Sequence, residues 1–345
     1  MSKMRSPIPI LVTAAEGDLG QAIIKALRLA PFPVHIIGLD HQPGGGARAF
    51  CDQVHAIPLA ENTSYLEKLR KIAEQTKARA IIPASEAEMR VLSKLSSFPA
   101  LSSNGTKIIC QPAEIWECLG NKLTCYRRLE GVVPLAPFAD AENEREIAAL
   151  VKAHGFPLVL KPATGRGSKG FALLRHSAEL EAALQEREGP CVLQGFLDDA
   201  GGEYTVSVFR DLSGLRSVTF RRELEAHGCS WRGELINDGE IAEYCECICK
   251  TLAFQHSLNL QVRKTSKGVR LLEINPRFSS IAAMRAAAGF NDVAWSVAAA
   301  LNIPIEKGSV TSGPFRFWRF VHEIIETPNG FLVHPDWQPR SGPLY

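Results

Sequence analysis

Residues 258–277 read LNLQVRKTSKGVRLLEINPR, and the alternation in this stretch decides the fold. Two β-forming runs, Leu258–Thr265 and Val269–Arg277, flank Ser266-Lys267-Gly268, the composition of a hairpin turn. Centring the turn on Lys267 sets Gln261 opposite Glu273 and Asn259 opposite Asn275, with opposed Cβ atoms roughly 5 Å apart. Period two then divides the ribbon. Leu260, Val262, Leu272 and Ile274 face a core, while Asn259, Gln261, Glu273 and Asn275 gather oxygens on the other side. Such hard oxygen donors suit Mg²⁺ held together with phosphates. The plainer alternative is a solvated polar face, since Asn followed by Pro also ends strands in turns. Arg277 follows the strand end, where a guanidinium can meet a transferred phosphoryl group.

Working upstream, Glu203–Arg210 and Leu215–Leu224 read as a second pair of strands, with Glu203, Thr205 and Ser207 on one face. The run Leu158–Pro162 is a buried-looking strand that ends in Lys161-Pro162, and Thr164-Gly165-Arg166-Gly167-Ser168-Lys169-Gly170 follows at once. Three glycines with Ser, Arg and Lys make a mobile loop able to fold over phosphates. An ordinary exposed hairpin tip is the alternative, and GxxxxGK[ST] is absent. Asn121–Leu129 reads as a helix opening on Lys122, Cys191–Phe196 as a strand, and Ile281–Ala288 as an Ala-rich helix that carries Arg285. That arginine can bind an anionic substrate or be a solvated cation.

The amino-terminal third alternates strand and helix. Ile8–Val12, a turn through Gly17 and Gly20, the helix Gln21–Ala30 and the strand Val34–Leu39 form a βαβ unit. Strands at Ala80–Pro83 and Lys107–Cys110 extend it to a parallel, doubly wound sheet. The turn matches half of GxGxxG, and Asp40 stands where a ribose-binding acid would. That makes an NAD-linked oxidoreductase the rival reading. Over 345 residues the chain is 46% apolar and 22% charged with net charge +2, which excludes a disordered chain and gives no whole-chain signal for nucleic acid. No apolar run reaches the ~18 residues of a membrane span. The nine cysteines contain no CxxC pair, and a reduced cytoplasm is expected. Cys245 and Cys249 read as core-facing positions of a helix rather than metal ligands.

In order and spacing these motifs resemble the ATP-grasp superfamily, and most of all the short single-module proteins similar to half of a carbamoyl-phosphate synthase large subunit. The resemblance implies an α/β and α+β molecule. An amino-terminal pre-ATP-grasp domain would span 1–112, a linker helix and lid 113–195, and the subdomain bearing the Mg²⁺ and ATP site 196–345. It implies ATP and Mg²⁺, with Mn²⁺ as an alternative. Lys122 and Lys161 would hold the triphosphate, and Arg166, Ser168 and Gly170 would belong to the covering loop. Gln194 to Phe196 would form the adenine hinge and Glu203 would bind ribose. Gln261, Glu273 and Asn275 would hold two metal ions, and Arg277 with Lys161 would act on the phosphoryl group. The implied reaction joins a small-molecule carboxylate to an amine with release of ADP; a nucleotide-binding sensor is the non-enzymatic alternative. Specificity is expected between Glu16, the Glu86–Arg90 segment and Arg285, with Ser279 also facing substrate. Neither nucleic acid nor membrane is an expected partner, and a homodimer through Trp318 or Phe320 is left open. Gln194 departs from the usual Glu, and Ala15-Glu16 from the usual glycine pair.

Overall fold

The computed structural model describes residues 6–95, 105–165, 170–225, 228–319, 324–327 and 330–333. The first sheet is built from β1 (Ile8–Val12), β2 (Val34–Asp40), β3 (Gln53–Ala56), β4 (Ala80–Ile82) and β5 (Lys107–Ile108). Its strands are parallel in the order β3-β2-β1-β4-β5. Between them run α1 (Asp18–Arg28), α2 (Gly45–Phe50), α3 (Tyr65–Gln75) and α4 (Glu86–Leu92). The short α2 and β3 carry no clear periodicity and were not expected. In α1, Leu19, Ile23, Ile24 and Leu27 are buried, each such side chain gaining roughly 1.5–3 kcal/mol on burial.

A second layer follows with α5 (Ala113–Leu119), α6 (Lys122–Leu129), β6 (Phe138–Asp140), α7 (Glu144–His154), β7 (Leu158–Pro162), β8 (Ala172–Leu174), α8 (Ser177–Glu186) and β9 (Cys191–Gly195). Its four strands form an antiparallel sheet in the order β6-β9-β7-β8. Helices α6 and α7 start where Asn121 and Asn143 accept hydrogen bonds from backbone N–H groups of the first turn, the usual role of an N-cap.

The third layer contains β10 (Gly202–Asp211), β11 (Gly214–Leu224), β12 (Ser230–Ile236), α9 (Gly239–Lys250), β13 (His256–Thr265), β14 (Gly268–Asn275), α10 (Ala282–Ala287), α11 (Asp292–Leu301) and β15 (Arg316–Trp318). The strands form one antiparallel sheet, β14-β13-β10-β11-β12-β15. One face, with Tyr204, Val206, Leu260 and Val262, packs on α9 and on the helices α5 and α6. The opposite face is aromatic at one end, where Phe209 and Phe220 meet Trp295 and Phe317, and polar at the other. A separate hairpin, β16 (Ile324–Thr327) and β17 (Gly330–Val333), follows. No helix among the described residues is long and apolar enough to cross a membrane.

Helices α10 and α11 lie against α1 of the first layer. Ala282, Ala286, Ala294 and Ala298 share a core with Leu19, Ile23 and Leu27. Asn291 fixes the approach. Its Nδ2 donates to the carbonyls of Ala26 and Leu29 at the end of α1, while its Oδ1 accepts from Ala294 N–H at the start of α11.

The glycine turn after β1 is a packing device. A Cβ on Gly20 would lie 2.1 Å from the Ala14 carbonyl oxygen, whereas one on Gly17 would meet nothing closer than 3.4 Å. Gly20→Ala is therefore expected to destabilise the chain by about 1–3 kcal/mol and Gly17→Ala by less than half as much, as read from urea unfolding. Equal effects would contradict this account of the turn.

Candidate functional site

At the β14 edge of the large sheet, Lys161 of β7 and the helix α6 come beside Leu272 and Glu273. The expected register of the β13–β14 hairpin is observed at its functional end, where Asn259 pairs with Asn275 and Gln261 with Glu273. The route to it differs. The turn is two residues, Ser266-Lys267, and an irregularity between Gln261 and Val262 restores the register by leaving Leu272 as the extra residue. Leu271, rather than the expected Leu272, therefore points into the core.

A bulge releases backbone groups from the ladder, and buried ones need partners. Leu271 N–H donates to the Tyr244 hydroxyl at 3.0 Å. The Leu272 carbonyl accepts from the Tyr126 hydroxyl and from Lys161 Nζ at 3.3 Å. Lys161 Nζ also donates to the Tyr126 hydroxyl at 2.6 Å and to Gln194 Oε1 at 2.8 Å. Gln194 thus acts through its side chain, because its backbone lies within the ladder between β6 and β7.

Lys122 opens α6, and its N–H donates to the Ala163 carbonyl at 2.7 Å, which ties the helix to the end of β7. Its Nζ lies 3.6 Å from Glu273 Oε2 and 3.2 Å from the Gly165 carbonyl. Glu273 Oε1 accepts from Asn275 Nδ2 at 3.0 Å. Lys122, Lys161, Glu273 and Asn275 are therefore brought to one place, as expected. Arg277 extends past β14 to Glu86 Oε1 at 3.4 Å and donates to the Phe278 carbonyl, so it bridges to the first layer. Arg166 and Ser168 lie outside the described residues, as does Phe320. Gly170 resumes the chain with a φ of 73°, and a Cβ there would lie 2.8 Å from the Pro162 ring.

Several expectations are corrected. Arg285 does not face a cleft. It is fully buried, and its guanidinium makes a two-point contact with Asp292 at 2.7 and 2.8 Å while donating to Ser279 Oγ at 2.6 Å. A buried charge must be paired, and this pairing uses up both Arg285 and the buried Ser279. The N–H of Phe196 donates to the Pro157 carbonyl and that of Gly195 to the Pro137 carbonyl, so these hinge donors are already engaged. Glu203 is held by two guanidinium groups, Arg222 and Arg263, the latter at 2.8 Å. Burial alone would raise its pKa, but the two arginines outweigh this and hold the carboxyl below the usual carboxylate range. Gln261 Oε1 accepts from Arg222 at 2.6 Å and is not turned to the Glu273 pair.

The nucleotide reading of the first glycine turn also fails on geometry. Glu16 Oε1 accepts from Gly44 and Ala47 N–H groups at 2.7 and 2.8 Å, and Asp40 accepts from Glu16 N–H. Within the turn itself the Glu16 N–H is spent on Asp40 and the Gly17 N–H on the Ala14 carbonyl, while the Glu16 carboxylate sits at the start of α2. Within the expected specificity segment Glu88 turns inward, accepting from Thr13, Ser85 and Tyr65, and burial raises its pKa. A cavity of about 710 Å³ opens instead beside Glu203 and Arg222, walled by Arg221, Glu234, Arg316 and the exposed Trp318. Cys245 and Cys249 are buried and Cys247 is exposed, as helical spacing required. Among the described residues no His, Cys, Asp and Glu cluster could hold a metal ion by itself.

Tyr126, Arg222, Arg263 and the Leu272 carbonyl were missed from sequence. For Arg222 a signal existed. Counting back from the Asp211–Gly214 turn pairs it with Glu203.

Two family models match the chain. Residues 188–317 match "ATP-grasp in the biosynthetic pathway with Ter operon", and residues 10–109 match "PylC-like, N-terminal domain". With the architecture described above, they give this chain the ATP-grasp fold. More particularly, it carries an ATP-grasp domain behind a PylC-like amino-terminal domain. Formate-dependent phosphoribosylglycinamide formyltransferase from Paraburkholderia xenovorans is 27% identical over 192 residues, covering 53% of this chain and 45% of the relative. The same enzyme from Azoarcus is 26% identical over 246 residues, covering 68% and 59%. The chain thus spans about half the length of the curated relatives it matches. Among solved structures, N5-carboxyaminoimidazole synthetase from Staphylococcus aureus with ADP superposes with a TM-score of 0.71 at 15% identity, covering 93% of this chain and 85% of that one. The biotin carboxylase domain of Hydrogenobacter thermophilus 2-oxoglutarate carboxylase gives 0.67 at 17% identity, covering 86% and 70%.

Lys161 is the site's titratable group near neutrality. Burial first, and then the charge of Lys122, pull its pKa from 10.5 down to about 7. Because the folded midpoint lies below the unfolded one, the unfolded chain binds the extra proton between about 7 and 10.5, and this group makes folding more favourable as pH rises through that window. NMR of ¹³C-labelled lysine should show one amine titrating near 7, absent in Lys161→Met and moved upward by tripolyphosphate. A spectrum in which every lysine titrates above about 9 would contradict the geometry.

Proposed function

We propose that the chain is an ATP-dependent ligase, which activates a carboxylate as an acyl phosphate and passes the acyl group to an amine, releasing ADP and phosphate. The observation that carries this reading is the convergence of Lys122 and Lys161 on Glu273 and Asn275. Cations from one layer meet hard oxygens from another, and the glycine-rich segment 164–170 follows the lysine strand in sequence. The oxygen donors fit a divalent cation. One carboxylate and one amide, half-buried and 3.0 Å apart, suit a metal that takes its remaining ligands from phosphates and water. When bound there, it would neutralise phosphate charge and polarise the phosphoryl oxygens.

The chain's own residues supply the rest. Lys161 and Lys122 would hold the triphosphate beside Glu273. Arg277, set between Glu86 and the end of β14, would stabilise charge on the phosphoryl group during in-line attack by the carboxylate. The loop would exclude water from a reactive acyl phosphate. The matched formate-dependent relatives support a small carboxylic acid as the activated substrate. The N–H groups already engaged at Gly195 and Phe196 leave adenine to be met beyond β9.

The test is ADP release from ATP and Mg²⁺ across a matrix of carboxylates and amines. Glu273→Ala should lower substrate-dependent release by on the order of 100-fold or more. Release at the unaltered rate in that variant would defeat the assignment.

A further inference from the structure

Arg222 is an enclosed cation on the site face, with a side chain 5% exposed. Its Nε donates to Glu203 Oε1 at 3.0 Å, and one terminal nitrogen donates to both Glu203 Oε1 and Gln261 Oε1. Arg263 holds the other oxygen of Glu203. One carboxylate therefore faces two permanent cations, and this end of the face is left net positive. The amide oxygen is the only atom of the Gln261 side chain that a hard cation can use. It accepts from a guanidinium nitrogen 2.6 Å away. A Mg²⁺ on the same oxygen, at its usual distance of about 2.1 Å, would sit within about 5 Å of that guanidinium, and like charges so close repel strongly. Glu273 pairs with Gln261 across the ladder, but it brings a negative charge of its own, and its partners are Asn275 at 3.0 Å and Lys122 at 3.6 Å.

We propose that Arg222 stands where a second divalent cation would otherwise be held, so that this site takes one such cation per nucleotide, on Glu273 and Asn275. Gln261 is then a positioning residue that links the Glu203–Arg222 pair to β13. The inference rests on the nucleotide reading above, and it departs from the two-metal set that the sequence resemblance implies.

The experiment counts metal rather than turnover. The full chain is dialysed to equilibrium with Mn²⁺ and the β,γ-imido analogue of ATP. Bound Mn²⁺ is read by electron paramagnetic resonance and bound nucleotide by absorbance. One Mn²⁺ per bound nucleotide is expected, and Gln261→Ala should keep that ratio with Mn²⁺ affinity changed less than twofold. In Arg222→Met, Arg263 still neutralises Glu203, the Gln261 oxygen is released, and the ratio should rise to two. A ratio of two in the unaltered chain that falls to one in Gln261→Ala would overturn the proposal, as would a ratio that stays at one in a folded Arg222→Met. Failure to bind the analogue would overturn the nucleotide reading and this inference with it, and the separate nucleotide signal distinguishes that result from a second metal.

Discussion

Lys161 carries an ammonium group to a place where its three contacts are neutral oxygens, those of Tyr126, Gln194 and Leu272. Among the described residues it makes no ion pair of its own. Burial and the nearby Lys122 both act against its charge. A cation held this way is poorly compensated until an anion arrives, and a polyphosphate supplies the missing charge. The surrounding structure exists in large part to hold that amine in place. Strand β7 delivers it, α6 brings Tyr126 and Lys122 beside it, and the bulge in β14 turns a carbonyl towards it.

The bulge joins fold to site. Without the extra residue, Leu272 would sit in the ladder and its carbonyl would be spent on a neighbouring strand. With it, two freed backbone groups are met by two tyrosine hydroxyls, and the side chains of Glu273 and Asn275 come out on the polar face. The same sheet is sealed farther along by Phe209, Phe220 and Trp295. The buried Arg285–Asp292 pair anchors α10 to α11 behind that seal. Breaking such a pair leaves an uncompensated charge in the interior, so its work is architectural.

Much of this was legible from residues alone. Period-two alternation fixed which side chains of β10, β13 and β14 share a face, and pairing by turn position set Gln261 against Glu273. That pairing succeeded although the turn is one residue shorter than expected, because the bulge compensated. Two adjacent leucines carry no signal for which one leaves the ladder. Arg285 was misplaced because an Ala-rich helix looks alike whether its arginine meets solvent or a buried Asp292 from the next helix. Arg222 lay within reach of the same counting that found Glu273. The glycine turn of the first sheet misled in the opposite direction, since glycine spacing is shared by phosphate loops and by turns that need close packing, and the close approach of Gly20 to the Ala14 carbonyl leaves no mark in the spacing.

The most direct test of the central claim is a crystal structure of the chain with Mg²⁺ and the β,γ-imido analogue of ATP. The account predicts the β- and γ-phosphates within hydrogen-bond distance of Lys161 and Lys122, with metal density on Glu273. A nucleotide seated at the Gly17–Gly20 turn, or in the cavity walled by Arg316 and Trp318 with Lys161 left untouched, would contradict it.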